Sequence, residues 1–370
     1  MTNLLYIVNR IDGPGGLERV LSIKASYLAD NYNYKVHILT LNQDTNNLFY
    51  DFSKKIQYHN IKVGGNPFSY IKSYKKGIQE KIKEITPDII LVCDDGLKGL
   101  LLPLIIGKPC SLIYERHVSK NAELQVKTPN IYQKAITWLK FKLMNIGAKQ
   151  YDKFVVLTNG NKKEWDLKNI TVIPNPLSFY PSAPSSVDKK NVIAVGKQCF
   201  QKGYDRLLKA WAMVHKSYPE WKLNIYGTIN KNENLEALAK ALKISKSVNF
   251  HKPVKNIAEK YQESSIYVMS SRYEGFGMVL TEAMAYGVPC VSFNCPHGPS
   301  DIIKDGEDGF LVPNGNINNL GEKIKTLIEN SELRKKLGEN ARQNVKNYLP
   351  EYVVKQWDML FKELLKHKTV

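Results

Sequence analysis

The sequence predicts an α/β protein of two doubly wound domains, each a parallel sheet with helices on both faces. Three observations carry this expectation. The chain has 370 residues, more than one hydrophobic core ordinarily holds. A strand–helix–strand pattern opens the chain and begins again near residue 191. Between the two sets lies PLSFYPSAPSSVDKKN (176–191), rich in Pro and Ser and without periodicity. The expected organisation is a domain over 1–175, a linker over 176–190, a second domain over 191–348 and a C-terminal helix over 349–370.

The elements follow in order. LLYIV (4–8) reads as a strand, NRIDGPGG (9–16) as a loop, residues 17–32 as a helix and YKVHILTL (34–41) as a strand. Leu17, Val20, Leu21 and Leu28 share one face of that helix at helical spacing. A strand–helix–strand unit implies parallel pairing through a right-handed crossover. Apolar runs at 88–93, 111–114, 153–158 and 170–175 extend the first sheet. NVIAVG (191–196), an amphipathic helix over 204–218 and KLNIYG (222–227) restart the pattern. A helix near 234–243, a strand at VNFHKP, a helix over NIAEKYQESS and the buried run IYVMSS (266–271) follow. Residues 349–367 form a final amphipathic helix with Val353, Trp357, Leu360 and Leu364 on one face.

Composition bounds the function. Hydrophobic content of 43% and charged content of 24% are ordinary for a globular protein. The first apolar run is too short for a signal peptide, and no segment approaches a spanning helix, so the expected location is the cytoplasm. Cys93, Cys110, Cys199, Cys290 and Cys295 are scattered and form no C-x-x-C pair. Buried thiols are expected rather than disulfides or a zinc site, and the histidines show no ligand spacing. The net charge of +18 suggests an anionic partner, whether nucleic acid, membrane or a phosphorylated acceptor. The excess is densest from Lys127 to Lys149, where five lysines face no acidic residue.

The most informative segment is EGFGMVLTEAMAYGVPCVSF, framed by Glu274 and Glu282. After the run at 266–271 come a glycine-bearing turn and a short helix from about Met278 to Tyr286, stopped by Gly287 and Pro289. A helix N-terminus behind a glycine turn aims N–H groups at one spot and suits a diphosphate. A carboxylate is a pure acceptor that holds two neighbouring hydroxyls at once. A phosphate turn between two such acceptors is what a nucleotide-diphospho-sugar requires. Glu282 lies among Val279, Leu280, Ala283 and Met284, which argues against a solvated surface glutamate.

Three further clusters stand at strand ends. DGPGGLERV (12–20) places Gly15 and Gly16 between a strand and a helix, where backbone can approach a phosphate or sugar. It is not a dinucleotide fingerprint, because Glu18 occupies the third glycine position. GKQCFQKGYDRLLKA (196–210) carries Lys197 and Lys202 beside a helix entrance, where two ammonium groups would neutralise a departing diphosphate. YERHVS (114–119) holds Arg116 and His117 just after a strand.

The segment framed by the two glutamates resembles the donor-site signature of the retaining transferases of glycosyltransferase family 4, glutamate, seven residues, glutamate. GKQCFQKG is similar to that family's G-R-x-x-x-x-K-G pattern, with Lys197 where arginine is usual; lysine keeps the charge without the planar fork. VIPNP (172–176) and EDGFLV (307–312) match further landmarks. The resemblance spans nearly the whole chain and implies the GT-B architecture, two Rossmann-like domains facing across a cleft. It implies transfer of a sugar, with retention, from a UDP-hexose or UDP-N-acetylhexosamine to a hydroxyl of a lipid-linked or surface-glycan acceptor.

The resemblance also implies residue roles. Glu274 would hold the donor sugar's hydroxyls and Glu282 the ribose hydroxyls. Backbone N–H groups of Phe276, Gly277, Met278 and Val279 would serve sugar and diphosphate, and Lys197 and Lys202 would stabilise the leaving group. Gly15 and Gly16 would lie near the donor, His117 would face its sugar and Arg116 would meet the acceptor. No cofactor or essential metal is expected, and the C-terminal helix is expected to pack back on the first domain. Lysines 120–149, with Tyr132, Trp138 and Phe141, would rest that domain on anionic lipid at the inner face of the membrane. Alternatively the same helix buries its aromatics and leaves only lysines outside.

Rival functions make different demands. An NAD-dependent oxidoreductase needs the complete glycine fingerprint. A nucleotide-sugar epimerase of the same two-domain shape would use the donor without an acceptor. A nucleic-acid-binding protein would explain the charge, but no recognition module is present and the basic residues spread over both halves.

Overall fold

A computed structural model describes residues 1–43, 47–120 and 130–366. The chain divides into two compact units, Met1–Pro176 with Pro350–Val370, and Leu177–Leu349. In the first unit the elements run β1 (Thr2–Ile7), α1 (Gly16–Asn31), β2 (Tyr34–Leu41), β3 (Gln57–Ile61), α2 (Pro67–Ile85), β4 (Ile89–Val92), α3 (Leu97–Leu100), α4 (Leu102–Ile106), β5 (Ser111–Glu115), α5 (Ile131–Ala148), β6 (Lys153–Val156), α6 (Asn159–Lys162) and β7 (Ile170–Val172). The sheet order is β3-β2-β1-β4-β5-β6-β7, and the strand pairs are parallel. The order reverses between β1 and β4, the point where such sheets take ligands beyond the strand carboxyl ends.

Local sequence explains these elements. β4 is IILV and is buried along its whole length, as a central parallel strand covered on both faces must be. β3 (QYHNI) is polar and half-exposed, because an edge strand needs no apolar run. Helix α2 starts where Asn66 accepts a hydrogen bond from the Ser69 N–H, with Pro67 in the first turn. Its Tyr74 and Ile78 enter the core while its lysines cover the outside.

The second unit repeats the plan with β8 (Asn191–Val195), α7 (Tyr204–Ser217), β9 (Lys222–Tyr226), α8 (Leu235–Ala241), β10 (Val248–His251), α9 (Ile257–Gln262), β11 (Ile266–Met269), α10 (Met278–Ala285), β12 (Cys290–Asn294), α11 (Pro299–Ile302), β13 (Gly309–Pro313), α12 (Ile317–Glu329) and α13 (Ser331–Asn344). Its order, β10-β9-β8-β11-β12-β13, reverses between β8 and β11. Leu207, Leu208, Trp211 and Val214 of α7 enter its core. The Trp211 indole N–H finds Ser247 Oγ at 3.1 Å, so its one polar atom is satisfied inside.

The last helix, α14 (Pro350–Lys366), belongs to the first unit. Val353, Trp357, Leu360, Phe361 and Leu364 join Leu21, Ala25 and Leu28 of α1 in one cluster. Each fully buried Leu or Phe there contributes roughly 1.5–3 kcal/mol.

Residues 177–190 contain no helix or strand yet are fastened to the second unit. Leu177 and Val187 are buried. The Leu177 N–H donates to Tyr348 O (2.6 Å) and Ser185 Oγ to Ser264 O (2.8 Å). Absent periodicity reports absent regular structure, not absent packing. Among the described residues no helix is long and apolar enough to cross a membrane.

Candidate active site

In the second unit the informative groups gather beyond the carboxyl ends of β8 and β11. Lys202 closes a short 3-10 turn (Phe200–Lys202), and its Nζ donates to Glu274 Oε1 at 2.7 Å. Ser271 Oγ donates to the same oxygen at 2.5 Å. Burial alone would lower the Lys202 ammonium, but the adjacent Glu274 carboxylate outweighs it and holds its pKa above the ordinary lysine value. Lys197 is exposed on the loop after β8 and pairs with no carboxylate among the described residues.

A clasp holds the Lys202 loop against the Glu274 loop. Arg272 makes a two-pronged pair with Asp205 (Nη1–Oδ1 2.9 Å, Nη2–Oδ2 2.8 Å) and lies 3.9 Å over the Phe200 ring. Its Nη1 also donates to Phe200 O at 2.5 Å. Ser270 Oγ donates to Lys202 O at 2.8 Å, and Gln201 Nε2 to Tyr273 O at 3.1 Å. Two loops some 70 residues apart are thereby fixed together, the rigid support that a preorganised charge requires.

Helix α10 begins immediately after this clasp. Gly277, its N-cap, has φ of +99°, a conformation that strains any residue with a Cβ. The first intrahelical bond is donated by Leu280 to Gly277 O (2.8 Å), so the N–H groups of Gly277, Met278 and Val279 precede the helical ladder. Phe276 is buried edge-on to Tyr348, with ring centroids 5.5 Å apart. Glu282 is buried on α10. Its Oε1 accepts from Ser178 Oγ (2.9 Å) and its Oε2 from the Tyr261 hydroxyl (3.0 Å). These two hydroxyls fix the orientation of the carboxylate.

In the first unit, Gly15 caps α1 and Gly16 begins it. The Glu18 carboxylate folds back over this loop, occupying the space a Cβ at Gly15 would need. Burial raises the Glu18 carboxyl above its ordinary value, offset in part by a hydrogen bond from its own backbone N–H and, to a lesser extent, by His117. The His117 backbone N–H donates to Asp95 Oδ1 (3.0 Å). Its Nε2 lies 3.3 Å from Glu115 Oε1, off the line of a hydrogen bond.

Glu115 is the hub of this cluster. Lys24 Nζ pairs with its Oε2, and Cys93 Sγ donates to the same oxygen at 3.2 Å. Burial would raise the Glu115 carboxyl, but Lys24 and His117 outweigh it and hold it well below the carboxylate range. Lys24 in turn lies 4.0 Å over the Trp357 ring. Cys93, Glu115 and His117 are the one grouping of possible metal ligands among the described residues. They fit a metal poorly, because Lys24 already supplies the cation and burial pushes the Cys93 thiol far up, away from the thiolate a metal needs.

Arg116 is placed differently from the acceptor role expected of it. Its side chain is 1% exposed, and it donates to Val118 O (3.0 Å) and Asp95 O. The guanidinium braces the loops after β4 and β5 and offers no exposed edge to an acceptor. Ser178, Tyr261, Asp205, Ser271, Arg272, Lys24 and Glu115 were not singled out by sequence reading. Asp205, Ser271, Arg272 and Glu115 had a faint signal, since each lies within three residues of a singled-out group.

Residues 181–344 match the family model for glycosyl transferases group 1. Over 367 residues the chain is 31% identical to an uncharacterized glycosyltransferase of Haemophilus influenzae, covering 96% of this chain and 99% of that one. The chain belongs to this family. It is likewise 31% identical to the amylovoran biosynthesis glycosyltransferase AmsD of Erwinia amylovora, over 97% of this chain and 99% of the relative. Among solved structures, HepE of Anabaena in complex with UDP-glucose superposes with a TM-score of 0.79. That likeness has 18% identity and covers 98% of this chain and 100% of HepE, so it speaks for fold. The glycosyltransferase has the GT-B fold, and its two Rossmann-like units are those described above.

Proposed function

We propose that this glycosyltransferase moves a hexose or N-acetylhexosamine from its UDP-sugar to a hydroxyl of a lipid-linked or surface-glycan acceptor, with retention at the anomeric carbon. The observation that carries this reading is the Lys202–Glu274 pair beside the start of α10. It sets a cation for phosphate, an acceptor for hydroxyls and a helix N-terminus at one sheet end. Glu274 would take the sugar's hydroxyls, and Glu282 the ribose hydroxyls. Lys197, Lys202 and the N–H groups of Phe276, Gly277, Met278 and Val279 would take the diphosphate. In the first unit, Gly15 and Gly16 permit close approach of a phosphate or sugar, and His117 offers a ring nitrogen to a sugar hydroxyl.

In the reaction, the acceptor oxygen bonds to the anomeric carbon on the face from which the diphosphate departs. The bond from that carbon to the diphosphate oxygen breaks with its electron pair, and the acceptor's proton passes to the departing phosphate. The lysines and the helix N-terminus stabilise the developing negative charge, so no divalent metal is required. The UDP assignment is supported by HepE, solved with UDP-glucose, and the glycan acceptor by AmsD, named for amylovoran biosynthesis. A protein acting on such acceptors would work in the cytoplasm, at the inner face of the membrane.

A thermal-shift panel with UDP, GDP, ADP, NAD and several UDP-sugars, each with and without EDTA, tests this. A ligand at a hundredfold its dissociation constant adds about 2.7 kcal/mol, a shift of a few degrees. UDP and one UDP-sugar should raise the midpoint, unchanged by EDTA. A response to NAD alone, or to none of these, overturns the reading.

A further inference from the structure

Helix α5 buries only three of its 18 residues. Its C-terminal end is seated by Met144, Gly147 and Ala148, which are buried. A Cβ at Gly147 would fall 2.5 Å from Leu100 O, so α5 meets the end of α3 backbone to backbone. The opposite face is apolar and open to solvent. Tyr132, Ile136, Leu139, Leu143 and Ile146 are between 37% and 78% exposed, and Trp138 beside them is 64% exposed. Of the three aromatics in this stretch, only Phe141 turns inward, where Lys120 Nζ lies 4.9 Å from its ring. Leu104 on neighbouring α4 is also 59% exposed.

The charges decide what covers this face. Tyr132, Ile136, Leu139, Leu143 and Ile146 are spaced alternately four and three, a seam that another helix could also accept. A second copy would bring the same charges, however. Helix α5 carries Lys134, Lys140 and Lys142 and no acidic residue, so paired copies would set lysines against lysines. Lys142 Nζ lies 5.2 Å over the Trp138 ring, keeping cation and indole together at the rim. Of the lysines expected to help here, Lys127 lies outside the described residues. An apolar stripe with a lysine rim and an indole at its edge matches the interface of an anionic bilayer, where acyl chains meet negative headgroups.

We propose that α5 is a membrane-docking helix: it lies in the plane of an anionic bilayer with Tyr132, Ile136, Leu139 and Leu143 in the acyl boundary and its lysines among the headgroups. This goes beyond electrostatic attraction, because a lysine-only surface would not need these apolar side chains outside. It does not depend on the sugar chemistry and holds whatever donor is used.

Tryptophan fluorescence tests it directly. Of the five tryptophans, Trp165, Trp211, Trp221 and Trp357 are buried, so a lipid-induced change reports Trp138. The full chain is mixed with vesicles of equal parts phosphatidylglycerol and phosphatidylcholine, or of phosphatidylcholine alone, and is followed by sedimentation and emission. The expected result is sedimentation with anionic vesicles, a blue shift, and quenching by bromine-labelled acyl chains. Trp138→Phe should sediment without the blue shift. Leu139→Glu with Leu143→Glu should lower vesicle binding about tenfold or more while leaving the thermal midpoint and transfer to a soluble acceptor unchanged. Sedimentation without a blue shift and abolished by high salt overturns insertion. So does unchanged binding in the double variant, no vesicle binding, or a lipid-free dimer that Leu139→Glu dissociates. Failure of UDP to stabilise the protein would leave this result standing, so the two proposals fail separately.

Discussion

Lys202 and Glu274 are 72 residues apart in sequence, yet Nζ and Oε1 lie 2.7 Å apart at the ends of the adjacent strands β8 and β11. Their side chains are 19% and 7% exposed, so the pair is shielded but not sealed. A cation held this way has its charge in place before any phosphate arrives. That is the preorganisation through which electrostatic catalysis works. The pairing also keeps either charge from being buried alone.

If this pair serves the leaving diphosphate and the sugar, Glu274→Gln and Lys202→Met should each lower kcat/KM by about two orders of magnitude. The double variant should lose less than the product of the two, because neither group acts alone. Steady-state kinetics beside melting curves checks this, and near-normal rates in folded single variants would remove the pair from the mechanism.

Arg272 tests the clasp. Arg272→Lys keeps the charge but loses the two-pronged contact with Asp205 and the stacking on Phe200. The expected cost is about 1–2 kcal/mol in urea unfolding, with a raised KM for the donor as the Lys202 loop loosens. An unchanged KM would show that the clasp serves the fold alone.

Glu282 accepts hydroxyls from Ser178 and Tyr261. Tyr261→Phe removes one and should cost about 1 kcal/mol of stability. With one anchor fewer, the carboxylate is less fixed, and donor KM should rise about threefold with kcat nearly kept. Isothermal titration with UDP checks the binding part directly.

The buried Lys24–Glu115 pair should matter to folding. Lys24→Met leaves Glu115 charged inside and should cost about 3–5 kcal/mol, much of it recovered by adding Glu115→Leu. Because Glu115 is held below the carboxylate range, its contribution is present above the unfolded pKa and is lost as pH falls through the folded one. Urea unfolding at several acidic pH values should show a shallower pH slope in the double variant.

His37 and His59, with Nδ1 and Nε2 3.0 Å apart, give a second pH signature. Burial first, and His59 second, lower His37 from 6.5 to about 4. The unfolded chain therefore binds its proton before the folded one does. Stability should fall as pH drops from about 6.5 towards 4. His37→Asn should flatten that part of the curve.

Much of this protein was legible from the sequence because the information is local. Strands such as Ile89–Val92 and Ile266–Met269 announce themselves as short apolar runs, and α10 as a helix between a glycine turn and Gly287 and Pro289. The restart of the strand–helix pattern at 191 indicated two doubly wound units, and the spacing of Glu274 and Glu282 pointed to the family. What the sequence by itself could not decide depends on contacts between distant residues. The aperiodic stretch after 176 proved fastened through Ser178 and Ser185, since hydrogen bonds to remote carbonyls and carboxylates leave no period. Arg116 and Lys24 look like surface cations until the fold buries them against Asp95 and Glu115. The sequence left open whether α5 shows its aromatics or hides them, because one apolar stripe serves a core and a surface equally well. Only the tertiary structure, by choosing which face of each helix meets the sheet, turned Phe141 inward and left Trp138 outside.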